Sequence, residues 1–338
     1  MKKITLATLI ISFLLVISSS QSFAKEGKVV GGIMSVHPDW FKESFLDIGE
    51  DVMEASDEGR HVMLFMHLNG CPYCYKMVEE NIKNAPYTDF IKENFDVIAL
   101  NIRGDREVAL NEDVSLTEKQ LAERFKVMYT PTIVFLSPDN KVVARTNGYR
   151  SVPDFKLVLN YVQEKAYENQ QLTQYINEKK SQNYTFRDHP QLTSAENLQK
   201  LADKPLAVLL EDKGCVDCDA LHDGYLASQD VRDILEKYRF VRLDALSENK
   251  LIDVEGNETT PKAWVEKLGI SYRPAIVLFD KNKEIARIQS MLYSYHFTEL
   301  LRYVAEGHYE KYPDDFYGWL DTRTAQILKT GKDVDLSK

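Results

Sequence analysis

The sequence has few cysteines, no excess of basic residues and no long apolar run after residue 24. Lys and Arg number 42 against 52 for Asp and Glu, so the formal net charge is −10, which disfavours binding to nucleic acids. No later segment is apolar over the roughly 20 residues that cross a bilayer. Only four of 338 residues are cysteine, whereas a disulfide-stapled secreted domain is shorter and scatters its cysteines. At about 100–200 residues per domain, the length indicates two domains.

The first 24 residues have the features of a bacterial secretory signal peptide. Lys2 and Lys3 form a positive start, residues 6–17 are mostly apolar, and residues 22–24 (Ser-Phe-Ala) offer a cleavage site. The alternative, an uncleaved anchor, needs a longer apolar stretch. We therefore expect cleavage after Ala24, a periplasmic mature chain and no stable membrane insertion.

The four cysteines form two Cys-x-x-Cys pairs that lie 144 positions apart, Cys71/Cys74 and Cys215/Cys218. Each pair follows a buried-strand pattern and precedes a helical stretch. A predicted strand and a predicted helix then follow in each copy. A period of domain size indicates a duplication rather than a short structural repeat. The predicted strands are 61–66, 95–101, 205–210 and 239–244, and the predicted helices are 116–125 and 261–268.

A proline opens an apolar strand at the same place in each copy. Pro131 lies 60 positions after Cys71, and Pro274 lies 59 positions after Cys215. Each strand ends in a polar turn of the composition that forms β-hairpins, and a closing helix follows. We predict an α/β protein of two tandem domains, at 25–165 and 193–308, with a helical linker at 166–192 and a C-terminal helical tail at 309–338 packed on the second domain.

A strand, a Cys-x-x-Cys helix and a later proline before a hairpin resemble the thioredoxin superfamily over nearly all of the mature chain. The resemblance implies a mixed central sheet flanked by helices in each domain. It also implies thiol–disulfide exchange with protein thiols and disulfides, with redox-active disulfides and no other cofactor. Residues 38–48 together with residues 70–74 (Gly-Cys-Pro-Tyr-Cys) are similar in particular to periplasmic thioredoxin-fold proteins associated with sulfur oxidation.

The position of each pair between a strand and a helix assigns the roles of the sulfurs. Free N–H groups and the helix dipole favour a thiolate at a helix N-terminus. Cys71 and Cys215 are therefore the predicted attacking sulfurs. Cys74 and Cys218, one turn further on, would then resolve the mixed disulfide.

The resemblance also implies the residues that bind the substrate. In the superfamily the proline before the hairpin is cis and lies against the cysteine pair. The main chain beside it pairs with an extended substrate. These roles fall on Thr130 and Pro131 in the first copy and on Arg273 and Pro274 in the second.

The residues between the cysteines predict two sites that differ. Pro72 suits the first position of a helix, and Pro72-Tyr73 between the cysteines resembles glutaredoxins and a periplasmic disulfide isomerase. No acid falls inside this motif, so we expect a lowered pKa for Cys71. The second motif contains Val216 and Asp217.

Further acids surround the second pair, and negative charge raises the pKa of a thiol. Arg273 acts in the opposite direction. If the acids dominate, the second pair is the more reducing one, and electrons pass from the second domain to the first. The acids are Glu211, Asp212, Asp217 and Asp219.

Paired cysteines can also hold zinc, attach haem or form a structural disulfide. A zinc site needs pairs that are close in sequence or in the fold, whereas these pairs begin separate repeat units and have no His nearby at ligand spacing, so we predict no metal. Attachment of c-type haem needs His after the second Cys, where Tyr75 and Asp219 stand. An inert structural disulfide remains open, more so for the second pair. We expect His67 and His222 to be half-exposed structural residues rather than proton shuttles.

The predicted function is that of a periplasmic thiol–disulfide oxidoreductase that reduces or exchanges disulfides in protein partners. As a reductase it would need electrons from a membrane donor. Phe65 and Leu209 stand where thioredoxins keep a buried acid. The absence of that acid favours activity on a restricted range of partner proteins. The alternatives are a disulfide oxidase or isomerase of folding proteins, or a client-binding protein with a non-catalytic second site.

Overall fold

The computed structural model describes residues 25–111, 113–180, 184–215 and 217–337. The predicted signal peptide at 1–24 and Val216 lie outside the described residues. Among the described residues, no helix combines the length and apolarity that a bilayer crossing requires.

The first domain is built on a four-stranded mixed sheet. A π-helical turn, Val78–Lys83, continues the helix that follows the first cysteine pair. In chain order the elements are β1 (Val29–Val30), α1 (Ile48–Asp57), β2 (His61–His67), α2 (Pro72–Met77), α3 (Thr88–Asn94), β3 (Phe95–Asn101), β4 (Glu107–Asn111), β5 (Val114–Thr117), α4 (Glu118–Arg124), β6 (Thr132–Leu136), β7 (Val142–Asn147) and α5 (Val152–Gln163).

The strand order of this sheet is β3-β2-β6-β7. Strand β2 runs parallel to β3 and antiparallel to β6, which forms the predicted hairpin with β7. All residues of β2 up to Met66 are buried, because separate apolar clusters cover the two faces of the sheet. The sheet thereby places Cys71 at the carboxyl end of its central strand.

One predicted helix of the first domain starts too early. The predicted helix includes Leu116 and Thr117, but in the structure these two residues end strand β5, which pairs with β4. Helix α4 begins at Glu118, where Thr117 caps it through a reciprocal capping box with Gln120. The strand predicted at residues 95–101 is confirmed.

The second domain repeats this topology, with strand order β13-β12-β8-β9. Its predicted strand at residues 239–244 is confirmed. Helix α7 has only three residues and continues into a π-helical turn, Leu221–Tyr225. From the predicted linker to the C-terminal tail, the elements in chain order are α6 (Leu172–Lys179), β8 (Leu206–Glu211), α7 (Cys218–Ala220), α8 (Gln229–Leu235), β9 (Arg239–Asp244), β10 (Leu251–Ile252), β11 (Glu258–Thr259), α9 (Pro261–Lys267), β12 (Ala275–Asp280), β13 (Lys283–Ile288), α10 (Ser294–Ala305), α11 (Phe316–Lys329) and β14 (Val334–Asp335).

The two domains meet through the segments that follow β7 and β13. Tyr149 and Met291 form an antiparallel bridge between these segments. Gly148, with φ of 72°, lies so close to the other domain that an added Cβ would be 2.1 Å from Ser290 Oγ. One buried apolar cluster includes residues of both domains. The domains therefore pack tightly along this line.

The segment predicted as a linker begins with a helix that is held on the first domain. Helix α6 packs on α5, and its Tyr175 and Ile176 are buried. Lys180, just after the helix, forms an ion pair of 2.8 Å with the buried Asp154. This helix therefore has a packed apolar side, which the polar composition of the segment did not indicate.

The C-terminal tail contacts both domains. Phe316 and Trp319 of α11 pack on Tyr303 of α10, with ring centroids 5.5 Å apart in each case. Asp321 forms an ion pair of 2.8 Å with Arg103 of the first domain. Strand β14 pairs with β1. The contacts with the first domain are therefore additional to the predicted packing of this tail on the second domain.

Candidate active sites

The first cysteine pair lies at the start of α2, where the backbone presents a donor to sulfur. Cys71 is the N-cap residue, and Pro72 occupies the first turn. The pair forms a disulfide with Cα atoms 5.3 Å apart. The N–H of Cys74 donates to Cys71 Sγ at 3.0 Å. Cys71 is 6% exposed and Cys74 is fully buried, so the predicted attacking residue is the more accessible member of the pair.

The loop before β6 brings the predicted substrate-binding residues against this sulfur. The Thr130–Pro131 bond is cis. The hydroxyl of Thr130 donates to Cys71 Sγ at 3.3 Å, and the carbonyl oxygen of Thr130 is 3.6 Å from that sulfur. When the disulfide is reduced, the Cys74 N–H and the Thr130 hydroxyl can both stabilise a thiolate at Cys71.

Tyr317 is a residue of this site that the sequence analysis missed. It lies on α11, 187 positions from Thr130, and its hydroxyl accepts the N–H of Thr130 at 3.0 Å. The same hydroxyl is 3.3 Å from Thr130 Oγ1. Burial raises the pKa of Tyr317, so the hydroxyl stays protonated at neutral pH. No local pattern in the sequence links the C-terminal tail to the first cysteine pair.

Tyr73, between the first two cysteines, is held by the second domain. Its ring packs on that of Tyr293 with centroids 4.5 Å apart, and its hydroxyl accepts the N–H of Tyr293. The hydroxyl is also 3.1 Å from Nδ1 of His296. Burial lowers the pKa of His296 to about 4 and raises that of Tyr73, so this contact is uncharged at neutral pH.

The second cysteine pair has the same placement with different surroundings. Cys215 and Cys218 form a disulfide with Cα atoms 5.6 Å apart. Cys215 is 5% exposed, whereas Cys218 is fully buried. The Arg273–Pro274 bond is cis. Asp217 precedes α7, and its Oδ2 accepts the hydroxyl of Tyr272 at 2.6 Å.

Arg273 forms an ion pair with a buried neighbour. Its Nε lies 3.0 Å from Oδ2 of Asp212, and both side chains are 4% exposed. It also donates to the carbonyl oxygens of Ile270 and Tyr272. The guanidinium of Arg273 is therefore buried and ion-paired with Asp212, so its main chain is better placed for the predicted role.

The other acid next to this pair is also partnered. Glu211 is fully buried and lies 2.8 Å from Nε2 of His222 and 3.1 Å from the hydroxyl of Tyr184. His222 is itself 7% exposed, which corrects the expected half-exposed position. Asp212 is paired with Arg273, whereas the tyrosine hydroxyls that donate to Glu211 and Asp217 are neutral, so these contacts offset only part of the negative charge of the second site.

A mainly apolar cavity of about 380 Å³ adjoins the second pair. Its lining includes Asp217 and Pro274 together with Tyr225, Met291 and Phe297. Each cysteine pair is closed on itself within its own domain. Among the described residues, no cluster of His, Cys, Asp and Glu is arranged to hold a metal ion.

The arrangement of both sites matches a known family. The family model described as "Thioredoxin-like domain" matches residues 48–163 and 192–305, together more than half of the chain. The chain belongs to the thioredoxin-like domain family. Two such domains, each with a Cys-x-x-Cys pair directly after its central strand, make the protein a thiol–disulfide oxidoreductase. The similarity to sulfur-oxidation proteins stays a prediction.

Solved structures with this fold resemble one or both of the thioredoxin-like domains. A thioredoxin-fold protein from Helicobacter pylori is 24% identical over 36% of this chain and 84% of its own, with a TM-score of 0.31. A thioredoxin from Thermus thermophilus is 27% identical over 34% and 83%, with a TM-score of 0.28. A protein disulfide oxidoreductase from Aeropyrum pernix is 14% identical over 80% and 95%, with a TM-score of 0.25. No curated protein matches the chain.

Proposed function

We propose that this thioredoxin-like protein works in the periplasm, where it reduces or exchanges disulfides of protein partners with Cys71 as the first nucleophile. One observation carries the proposal. Cys71 is the more exposed residue of its pair, and its sulfur accepts hydrogen bonds from the Cys74 N–H and the Thr130 hydroxyl. This geometry suits a sulfur that must alternate between thiolate and mixed disulfide.

The exchange balances without a cofactor other than the cysteines. The Cys71 thiolate attacks one sulfur of a partner disulfide, and the other partner sulfur leaves as a thiolate that takes up a proton. Cys74 then attacks the mixed disulfide, loses its proton and releases the second partner sulfur. The partner gains two electrons and the enzyme keeps the Cys71–Cys74 disulfide. Further turnover requires a two-electron donor, which we propose is membrane-bound.

The second pair is proposed as a second exchange centre that passes electrons to the first. Its attacking sulfur, Cys215, is also the more exposed member of its pair. Both motifs contact the interface between the domains, Tyr73 directly and Asp217 through Tyr272. The direction from the second domain to the first requires a lower reduction potential at Cys215/Cys218, and a higher potential there would contradict it.

A second candidate function is the binding of clients by a non-catalytic second site. The cavity lined by Asp217 and Pro274 favours it, because its apolar lining could receive a side chain of an unfolded client. In this case only the first site would catalyse disulfide exchange.

Reduction of insulin by the wild type, Cys71→Ser and Cys215→Ser tests both candidates. The oxidoreductase proposal expects turnover by the wild type and none by Cys71→Ser. The client-binding candidate expects Cys215→Ser to turn over as fast as the wild type. Absence of turnover in the wild type, with client binding intact in both variants, would refute the reductase activity. A Cys74→Ser variant should trap partners as mixed disulfides, and cell fractionation checks the compartment.

A further inference from the structure

Arg150 of the first domain lies at the second active site. It is 2% exposed, and its guanidinium carbon is 4.4 Å from the centroid of the Tyr272 ring. Its Nε has no hydrogen-bond partner among the described residues. The amide of Asn81 donates to its carbonyl oxygen at 2.9 Å and holds the backbone in place. A buried cation thus faces an aromatic ring across the domain interface.

The ring connects this cation to the second cysteine motif. The hydroxyl of Tyr272 donates to Oδ2 of Asp217 at 2.6 Å, and Asp217 stands between Cys215 and Cys218. A cation over the face of a tyrosine is attracted by the ring quadrupole, more strongly when water is excluded. The positive charge of Arg150 therefore opposes the negative charge of Asp217 beside the second pair.

The first site has no such chain, although the domains share a fold. Tyr73 takes the place of Asp217 there, and Leu292, directly before the N-cap of α10, takes the place of Arg150 before the N-cap of α5. Tyr129, which corresponds to Tyr272, donates instead to the carbonyl oxygen of Arg287. The shared fold therefore does not by itself require the cation, ring and carboxylate of the second site.

We propose that Arg150 is a positioning residue of the second site, which holds Tyr272 on Asp217 and so favours the thiolate at Cys215. Reduction adds two electrons and one proton to the Cys215–Cys218 disulfide and yields one thiolate and one thiol. Without Arg150 the carboxylate of Asp217 would act unopposed on that thiolate. The second pair is then easier to reduce in the presence of the first domain than its own acids would allow. This inference rests on the proposed redox activity of the second pair.

The test is a redox titration of the second pair alone. In the full chain with Cys71→Ser and Cys74→Ser, the fraction of reduced second pair is measured over a series of glutathione ratios. We expect Arg150→Leu to lower the equilibrium constant for reduction by about three- to tenfold, which corresponds to half to one unit of thiol pKa. Arg150→Lys retains the charge and should stay near the parent protein.

Two further variants separate this effect from general loss of structure. Arg145→Leu is the matched control, because Arg145 lies on β7 and donates only to oxygens of the first domain. It should leave the equilibrium constant unchanged. Tyr272→Phe keeps the ring but loses the hydroxyl, so a smaller shift in the direction of Arg150→Leu is expected. If Arg150→Leu does not fold, Tyr272→Phe decides the test.

The possible negative results distinguish failure of the proposed redox activity from failure of the role of Arg150. A second pair that no glutathione ratio reduces in the parent protein contradicts the proposed function of that site. A pair that titrates normally and does not shift in folded Arg150→Leu contradicts only the role of Arg150. An equal shift in Arg145→Leu also overturns that role, because the change would then reflect packing between the domains.

Discussion

Replacement of Tyr317 by phenylalanine would remove one hydroxyl from the contact between α11 and the first active site. That hydroxyl accepts the N–H of Thr130 at 3.0 Å and is 3.3 Å from Thr130 Oγ1. Thr130 is buried and precedes β6, so no strand satisfies its N–H. A partner that pairs with the main chain at Thr130, as expected for this fold, must first displace Tyr317.

The expected magnitudes follow from the two bonds. A hydrogen bond contributes about 0.5–1.5 kcal/mol net, and a buried donor left unpaired costs about 1–3 kcal/mol. Tyr317→Phe should therefore lower the free energy of unfolding by about 1–2 kcal/mol. The same substitution frees the Thr130 N–H for a partner, and about 1 kcal/mol corresponds to a fivefold gain in association. Stability and reaction rate should thus change in opposite directions.

The assay compares two substrates. We expect kcat/KM for an extended peptide with a disulfide to rise about three- to tenfold in Tyr317→Phe. A free-energy difference of about 1.4 kcal/mol corresponds to a tenfold change in affinity. A small disulfide without a peptide backbone should react at the wild-type rate. Tyr312→Phe, whose hydroxyl is 3.3 Å from Thr322 Oγ1 within the tail, is the matched control. A kcat/KM for the peptide that is unchanged or lower in folded Tyr317→Phe would refute the reasoning.

Further predictions concern buried charges. Asp212→Asn leaves the buried Arg273 without its counter-ion, so the free energy of unfolding should fall by about 3 kcal/mol or more. Glu258→Gln, in an exposed pair with Lys250, should cost less than about 1 kcal/mol in the same denaturation assay. His296 has its pKa lowered from 6.5 to about 4 by burial, so the unfolded chain binds its proton first as the pH falls. Stability should therefore decrease between about pH 6.5 and pH 4, and His296→Gln should make that decrease shallower.

Each of these predictions has a clear counter-result. Equal losses of stability in Asp212→Asn and Glu258→Gln would show that the pair with Arg273 behaves as a solvated one. Identical pH dependence in the wild type and His296→Gln, measured by urea denaturation at matched pH values, would show that His296 is not held neutral in the folded protein.

Local patterns predicted most of the secondary structure around the sites. The strands at 95–101 and 239–244 match the structure because their apolar residues are bounded by polar ones. The start of α4 was missed because Leu116 and Thr117 also fit a helical pattern. Only their pairing with β4, a contact outside the local window, makes them a strand. The sequence therefore predicted elements well where burial and local pattern agree.

By itself, the sequence determined that the chain holds two copies of one redox motif, each with its own proline about 60 positions later. Repetition and spacing are properties of a single line of residues, so no coordinates are needed to read them. Tertiary structure alone decided which residues from elsewhere lie at each site, with Tyr317 on Thr130 and Arg150 on the ring of Tyr272. The reason is physical: contacts across a domain interface depend on how two surfaces pack, and spacing along the chain carries no information about that distance.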